Sequence, residues 1–507
     1  VIVRQSIKGA LANYLGVAIG FVTTFFVLTR CLTAEEVGLT RVMVDAAVLF
    51  SSLALLGTNS SIVRFFPYFR DGKHHHGVFG LSLLLPLVGF SVFGLLFLLF
   101  RGQIVGLYEG RSPLLAEYAH LLPMLVFFAL YLTVFETNAS VLMRITVPKL
   151  IREVGIRVMT LADYLLYGWG VVDFDVFVWL FCGSYGVAML LSMAYLLHIT
   201  GFDFGVFKID FRAIDRRLGR DMLHYSLLMT AVILAGYVPL LSSLFLGAKT
   251  GLAATGVYAI ALYIANVVEV PYRSLGAVSR PVIATAVKAD DWSEVNRLAR
   301  QVSLHQMLVS AAIFFVIWIN VGLLFRLLPN GDDYAGGAWV VFILGIAKIF
   351  NSSLSIGGDV LNYSRHYVWS LLFALVLTGA ALVFNTLLIG RWNINGAALA
   401  TLFSYVVYFG LMLGFVWRRL RVHLFSTGQA KVGVLVVVGL MLNAAWQRWL
   451  SPLLPTDGNL ALALAEAAVK TVLLGGGLLW ATIRWKVSPT VDRWVAHTLE
   501  KNKANKA

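Results

Sequence analysis

GVYAIALYIANVVEVPYRSLGAVSRP, residues 256–281, decides the fold class. It is long and apolar enough to cross a bilayer, which takes roughly 20 mostly apolar residues in a helix. Yet its middle carries Asn266, Glu269, Pro271 and Arg273. A charge at bilayer depth costs at least ~2.5–3.5 kcal/mol on insertion scales, so such groups face a partner or a water-filled cavity. Glu269 and Arg273 are four apart with the acid first, the favourable order for a pair on one helix face. Asn266 lies two turns before Arg273 on the same side. Pro271 has no N–H, so the carbonyl of Val267 loses its helical partner. Within a membrane that defect needs protein or cavity water to repair it. A polar, kinked membrane helix in mid-chain points to a transport pathway.

The rest of the chain fits that reading. Of 507 residues, 59% are hydrophobic and 13% charged, against about 25% charged in soluble proteins. The short alternating strands of a porin-like barrel are absent, so the expectation is an all-α, polytopic membrane protein. Hydropathy marks about fourteen spans, numbered here in order: 9–30, 42–66, 77–100, 118–142, 151–171, 176–198, 222–247, 254–280, 301–326, 338–362, 367–389, 395–417, 431–449 and 463–484. The first is read as an uncleaved helix, since no A-x-A-like site follows it. The longest internal connection, near 199–221, is too short for a soluble catalytic domain, which argues against a membrane glycosyltransferase, ligase or polymerase. The acidic pairs Asp290-Asp291 and Asp332-Asp333 read as solvated turns, and so does His74-His75-His76, giving no metal site. Cys31 and Cys182 form neither a disulfide framework nor a metal motif. No P-loop is present, so direct ATP hydrolysis is not expected.

The net charge of +14 invites a nucleic-acid reading until the charges are placed. With the N-terminus cytoplasmic, and charges toward the ends of a span assigned to the side they adjoin, 29 of the 40 Lys and Arg fall on the cytoplasmic side and 8 on the other, leaving Arg273, Lys348 and Lys470 within spans. The positive-inside rule then sets both termini in the cytoplasm. The basic loops face anionic lipid headgroups rather than nucleic acid.

The chain also repeats itself. EEVGLTRVMV from Glu35 matches AATGVYAIAL from Ala253, FETNAS at 135–140 matches FNSSLS at 350–355, and GSYGV at 183–187 matches FSYVV at 403–407. The shared order and offset predict two six-helix lobes of like orientation, related by an axis along the membrane normal. The expected division is 1–221 (spans 1–6), 222–422 (spans 7–12), and 423–507 for spans 13 and 14 with a basic cytoplasmic tail. Substrate sites in such proteins lie between the halves near the midplane.

Candidate residues follow from polar faces on apolar helices. Span 10 carries Lys348, Ser352, Ser355, Asp359 and Asn362 at steps of four and three, one continuous face. Span 4 has Glu136, Ser140 and Arg144 on one face, the repeat-mate of that stripe. In span 2 the polar break Gly57-Thr58-Asn59-Ser60-Ser61 leads to Arg64, whose guanidinium suits a phosphate; the plainer alternative is a cation snorkelling to the interface. Asn59, Arg64, Glu136, Asn266, Glu269, Arg273, Lys348, Ser352 and Asp359 are therefore the expected cavity residues. Glu269, Asp163 in span 5 and Asp359 are candidate ion-coupling acids. Arg273 either meets substrate or balances Glu269. Glu466 and Lys470 in span 14 are four apart and placed to neutralise each other.

The run IKGALANYLGVAIGFVTTFFVLTRCLTAEEVGLTRVMV, with LGTNSSIVRFFPYFRDGK after it, resembles the opening of bacterial polysaccharide-export flippases. These are the Wzx-like O-antigen and capsule translocases of the multidrug/oligosaccharidyl-lipid/polysaccharide exporter superfamily. VVEVPYRSLGAVSRPVIATAV resembles the matching helix of that group and of the lipid II flippases. The resemblance implies an inner-membrane flippase, not an enzyme, that moves an undecaprenyl-pyrophosphate-linked oligosaccharide between leaflets. It implies a V-shaped cationic cavity opening alternately to either side, a proton or sodium gradient in place of a cofactor, and other glycan-assembly proteins as possible partners. Lipid II relatives carry a basic residue one turn before the Glu-x-Pro; Asn266 stands there in this chain, which favours the polysaccharide branch. By the same resemblance spans 13 and 14, with Glu466 and Lys470, flank a groove for the lipid tail. A cation-coupled multidrug exporter is the alternative within the superfamily, with a lipid II flippase behind it.

Overall fold

The computed structural model describes residues 15–16, 18–69, 77–209, 215–235, 238–454 and 459–487. Among them helices follow one another with short connections and no strand. Ten helices are long and apolar enough to cross a membrane. One, Val368–Leu420, has 53 residues and holds expected spans 11 and 12 end to end. They part at Asn393, whose φ of 50° and ψ of −128° no helix accommodates. Three expected spans are helical but fall short of that standard. Span 1 survives as Ala18–Cys31 and span 7 as Leu240–Lys249, preceded by the polar-ended helix Arg216–Ala235. Span 5 contributes Ile156–Gly168. The all-α, multi-pass architecture thus stands, with ten spans of full length among the described residues rather than fourteen. His74, His75 and His76 lie outside the described residues.

The chain separates into two compact units, Val1–Ala259 with Leu328–Asp333 and Ala381–Ala397, and Ile260–Leu327 with Tyr334–Ala380 and Ala398–Ala507. In the first, span 2 begins with a capping box: Thr33 N donates to Glu36 Oε2 at 2.8 Å while Glu36 N donates to Thr33 Oγ1 at 3.3 Å. The helix runs Ala34–Ala54, breaks, and resumes as Thr58–Phe65. The break is sharp because Leu56 and Gly57 both take left-handed backbone, φ 49° and 66°. Only glycine serves at 57, since a methyl group there would also overlap the carbonyl oxygen of Ser226 on the helix alongside. Span 4 (Pro113–Val141) packs against spans 2 and 6. Its faces Leu125, Val126 and Leu130 are fully buried. Span 3 (Val78–Glu109) is only 17% buried and turns Leu95, Leu98 and Leu99 outward. In hydrocarbon that exposure carries no penalty, because lipid tails are as apolar as leucine.

One close contact in this unit joins two segments of the expected repeat. Gly38 in span 2 and Gly256 at the start of span 8 (Leu252–Glu269) are repeat-mates. A methyl on Gly38 would overlap the carbonyl of Leu252, and a methyl on Gly256 would overlap that of Ala34. Ala34 and Leu252 occupy matching positions too, each four residues before its glycine. The contact is reciprocal. Small residues allow this backbone-to-backbone approach, as at other membrane helix interfaces.

In the second unit span 9 (Trp292–Ile319) is central and packs against spans 8, 10 and 13. Asp291 caps its start, accepting from Glu294 N at 3.0 Å. Gln429 on span 13 donates to Ser303 at 2.8 Å. Asn320, just past span 9, donates to Thr471 of span 14 at 2.8 Å. The two added helices are thereby tied to the same central rod.

Candidate functional site

Span 8 does not run straight through its polar middle. The α-helix stops at Asn266, Val267–Glu269 form a 3-10 turn, and the helix restarts as Val270–Lys288 with Pro271 in its first turn. Proline is at home there, since that N–H would have no helical partner anyway. The tighter turn also repairs the orphaned carbonyl, because Val270 N donates to Val267 O. Glu269 becomes the N-cap residue of the restarted helix, and a carboxylate near a helix N-terminus is favoured by the helix dipole.

Two residues of span 10 (Ala338–Tyr363) close on that carboxylate. Lys348 Nζ lies 3.1 Å from Glu269 Oε2, and Asn351 Nδ2 donates to Oε1 at 2.7 Å. Glu269 is 7% exposed and Lys348 4%, so each neutralises the other's buried charge. Asn351 is in turn oriented by Ser355, which donates to its Oδ1 at 3.1 Å. Farther along the same two helices, Arg280 Nε donates to Asp359 Oδ2 at 3.1 Å. Its second amine donates to the Tyr272 hydroxyl at 2.7 Å. Ser352 is fully buried between these rungs, and its hydroxyl has no partner among the described residues. Asn266 is half-buried beside the turn, and Asn362 is exposed. Arg273 lies on the restarted helix, but its side chain falls outside the described residues. Glu269 therefore has partners from another helix, where the sequence offered Arg273 from its own.

The first unit holds its own polar network. Glu136 of span 4 is in an ion pair with Arg152 at 2.7 Å, and Arg152 also donates to Thr133 at 2.7 Å. Arg144 is exposed. Asp163 is buried and accepts from Ser184 of span 6 at 2.7 Å; Arg157 is committed to Glu153 instead. Arg64 is exposed and sits 4.3 Å over the ring of Tyr225. A guanidinium stacked on an aromatic face keeps its in-plane N–H groups free for an anion. Asn59 borders a void of about 10 Å³ shared with Thr58, Ser82, Thr137 and Asn138. The side-chain oxygens of Thr58, Asn59 and Asn138 have no partner among the described residues, and the space suffices for about one water. In span 14, Glu466 accepts from Trp446 Nε1 at 3.0 Å, and Lys470 is buried.

A family model described as polysaccharide biosynthesis protein matches residues 2–287. The chain belongs to that family. Among solved structures, the lipid II flippase MurJ in an inward closed conformation is similar at a TM-score of 0.72 and 10% identity, over 96% of this chain and 100% of that one. A mutant of the Vibrio cholerae MATE transporter VcmN matches at 0.56 and 12%, over 83% and 98%. An inward-facing multidrug resistance MATE family transporter of the MOP superfamily matches at 0.56 and 19%, over 81% and 94%. At these identities the likeness is one of fold. A comparison with curated proteins by sequence gave no match.

The family member carries polar groups that the sequence reading passed over. Asp45 of span 2 is buried, paired with Arg41 at 2.7 Å, and accepts from Ser243 of span 7. Its signal was a lone acid inside an apolar span, the same signal that marked Asp163. Arg152 and Arg280, at the cytoplasmic ends of expected spans 5 and 8, pair with acids on other helices. The structure sets Arg280 inside a helix that continues to Lys288, past the boundary that hydropathy marked.

Proposed function

We propose that this family member is a flippase that carries an undecaprenyl-pyrophosphate-linked oligosaccharide across the bacterial inner membrane by alternating access, driven by a proton or sodium gradient. The family match over residues 2–287 carries the reading. In this reading the headgroup crosses through a hydrated cavity while the prenyl tail stays in lipid. Arg64, Lys348 and Arg273 attract the pyrophosphate, and Asn59, Glu136, Asn266, Ser352 and Asp359 line the path. Glu269, Asp163 and Asp359 are the candidate coupling acids. Spans 13 and 14, with Glu466 and Lys470, guide the tail. Both termini face the cytoplasm, and the chain divides functionally at 221 and 422.

The paired state of Glu269 and Lys348 supports a site that is neutral when empty. Moving two unpaired charges through a membrane protein would be costly; a reciprocal pair removes that cost until an anion competes for the ammonium.

The drug-exporter reading is weaker on one observation. The MATE structures account for 81–83% of the chain and the lipid flippase structure for 96%. The test is reconstitution of the purified full chain in liposomes with a fluorescent prenyl-pyrophosphate oligosaccharide, scoring transfer between leaflets under an imposed ion gradient. Transfer supports the proposal. Failure to transfer, together with gradient-driven efflux of cationic dyes, would overturn it in favour of drug export.

A further inference from the structure

Span 10 has two faces of opposite chemistry. Lys348, Ser352, Ser355 and Asp359 form the polar one. On the other side Phe350 and Leu354 line a crevice of about 610 Å³, completed by Tyr405, Phe409 and Leu413 of span 12. The crevice belongs to the second unit alone, and its lining contains no carboxylate. Gly410 and Gly414, one helical turn apart, form part of its wall, and a methyl group added at either would meet nothing within 4 Å. The space is therefore open room beside the helix.

One end of this crevice is cationic and aromatic. Trp417, Val422 and His423 close it, and the intervening residues include Arg418, Arg419 and Arg421, all exposed. Among the described residues none of the three is in an ion pair. The backbone here leaves the helix through a wider π turn, Val416–Leu420, and Arg421 takes left-handed backbone at φ 54°. The turn is held: the Trp417 and His423 rings lie 5.8 Å apart, His423 N donates to Asn296 at 2.9 Å, and Arg300 Nε donates to His423 O at 2.8 Å. Arg300 adds a fourth guanidinium at the rim. Exposed Trp417 and Phe425 mark the depth of the membrane interface, where amphipathic rings collect.

We propose that this crevice is a binding site for an anionic glycerophospholipid of the bilayer. One acyl chain occupies the groove against Phe350, Leu354, Phe409 and Leu413. The phosphate sits on the Arg418–Arg421 turn. Charge complementarity identifies the occupant: a purely apolar groove would accept any tail, but an apolar groove ending in three guanidinium groups with no ion pair among the described residues selects a tail joined to a phosphate with net negative charge. Arginine is suited to that contact, because its planar fork meets phosphate oxygens two at a time. The site lies on the face of span 10 away from Glu269 and does not depend on the transported substrate.

The test is native mass spectrometry of the full chain in detergent, titrated in parallel with phosphatidylglycerol, phosphatidylcholine and polyprenyl phosphate. Retention of phosphatidylglycerol over phosphatidylcholine is expected. In the R418Q/R419Q/R421Q variant the preference should fall by roughly a hundredfold, at about fivefold for each cation near the surface. These residues are exposed, so that variant keeps the fold. G410L/G414L should fill the groove and abolish retention while leaving the arginines in place. Equal retention of the two phospholipids by the unaltered chain would overturn the proposal, as would an arginine variant with its preference intact. Preferential retention of polyprenyl phosphate, with phosphatidylglycerol displaced, would also overturn it and assign the groove to a prenyl carrier.

Discussion

Glu269 and Lys348 stand 79 residues apart in sequence and 3.1 Å apart in space, and Arg280 and Asp359 repeat both figures with the charges exchanged. Spans 8 and 10 are thus held in one register by two ion pairs, acid-to-base at the first rung and base-to-acid at the second. The rungs are eleven residues apart on each helix, three turns and about 16 Å at 1.5 Å per residue. A slip of either helix by one turn would bring neither pair together.

The inner rung should be the costlier to break. Lys348→Met leaves Glu269 buried without its counter-charge, and removing one partner of a buried pair costs about 3–5 kcal/mol. Thermal unfolding of purified protein should show a large loss for Lys348→Met or Glu269→Leu alone. The E269L/K348M double variant should recover much of it. A double variant as unstable as the two losses added would show that the pair is not the source.

Arg280→Gln should be milder, because its side chain is 37% exposed and solvent screens the charge. A loss below about 1 kcal/mol is expected. Exchanging the partners, R280D/D359R, should be closer to the starting protein than Arg280→Asp alone in the same unfolding assay. If the exchange is no better than the single change, the second rung does not set register.

Gly57 carries two demands at once, left-handed backbone and a carbonyl of Ser226 where a side chain would be. Gly57→Ala should therefore lower stability more than Gly433→Ala, a glycine with open space around it. The comparison isolates geometry from the general entropy of glycine replacement. Equal melting temperatures for the two variants would contradict it.

Arg64 provides a check on the proposed pyrophosphate contact. Arg64→Lys keeps the charge and loses the fork; Arg64→Ala loses both. Glycan transfer in liposomes should fall in that order, while protein yield and melting temperature stay level, since the residue is exposed. Full transfer by Arg64→Ala would remove Arg64 from the substrate path.

The membrane architecture was legible because long apolar runs have few other uses, and the polar face of span 10 was legible because steps of three and four stack on one side of a helix. Partner choice was not. Glu269 and Arg273 looked matched on one helix, but Glu269 is met instead by Lys348 and Asn351 of span 10. The side chain of Arg273 lies outside the described residues. The partners of Glu269, Glu136 and Asp359 come from other helices, and packing alone brings them near. Asp45 was overlooked within a span chosen for its later polar break, and its ties to Arg41 and Ser243 appear only once span 7 is laid beside span 2.

The glycine contact at Gly38 and Gly256 has a consequence for how this sequence can change. In a homodimer a single codon would specify both sides of such a contact, and one substitution would be felt twice. Here the two sides are separate loci on one chain. A bulkier residue at either is felt once, against a carbonyl that the other half contributes. Gly38 is therefore held small by the backbone at Leu252, and Gly256 by the backbone at Ala34, so each position is constrained by a main chain that no substitution can trim.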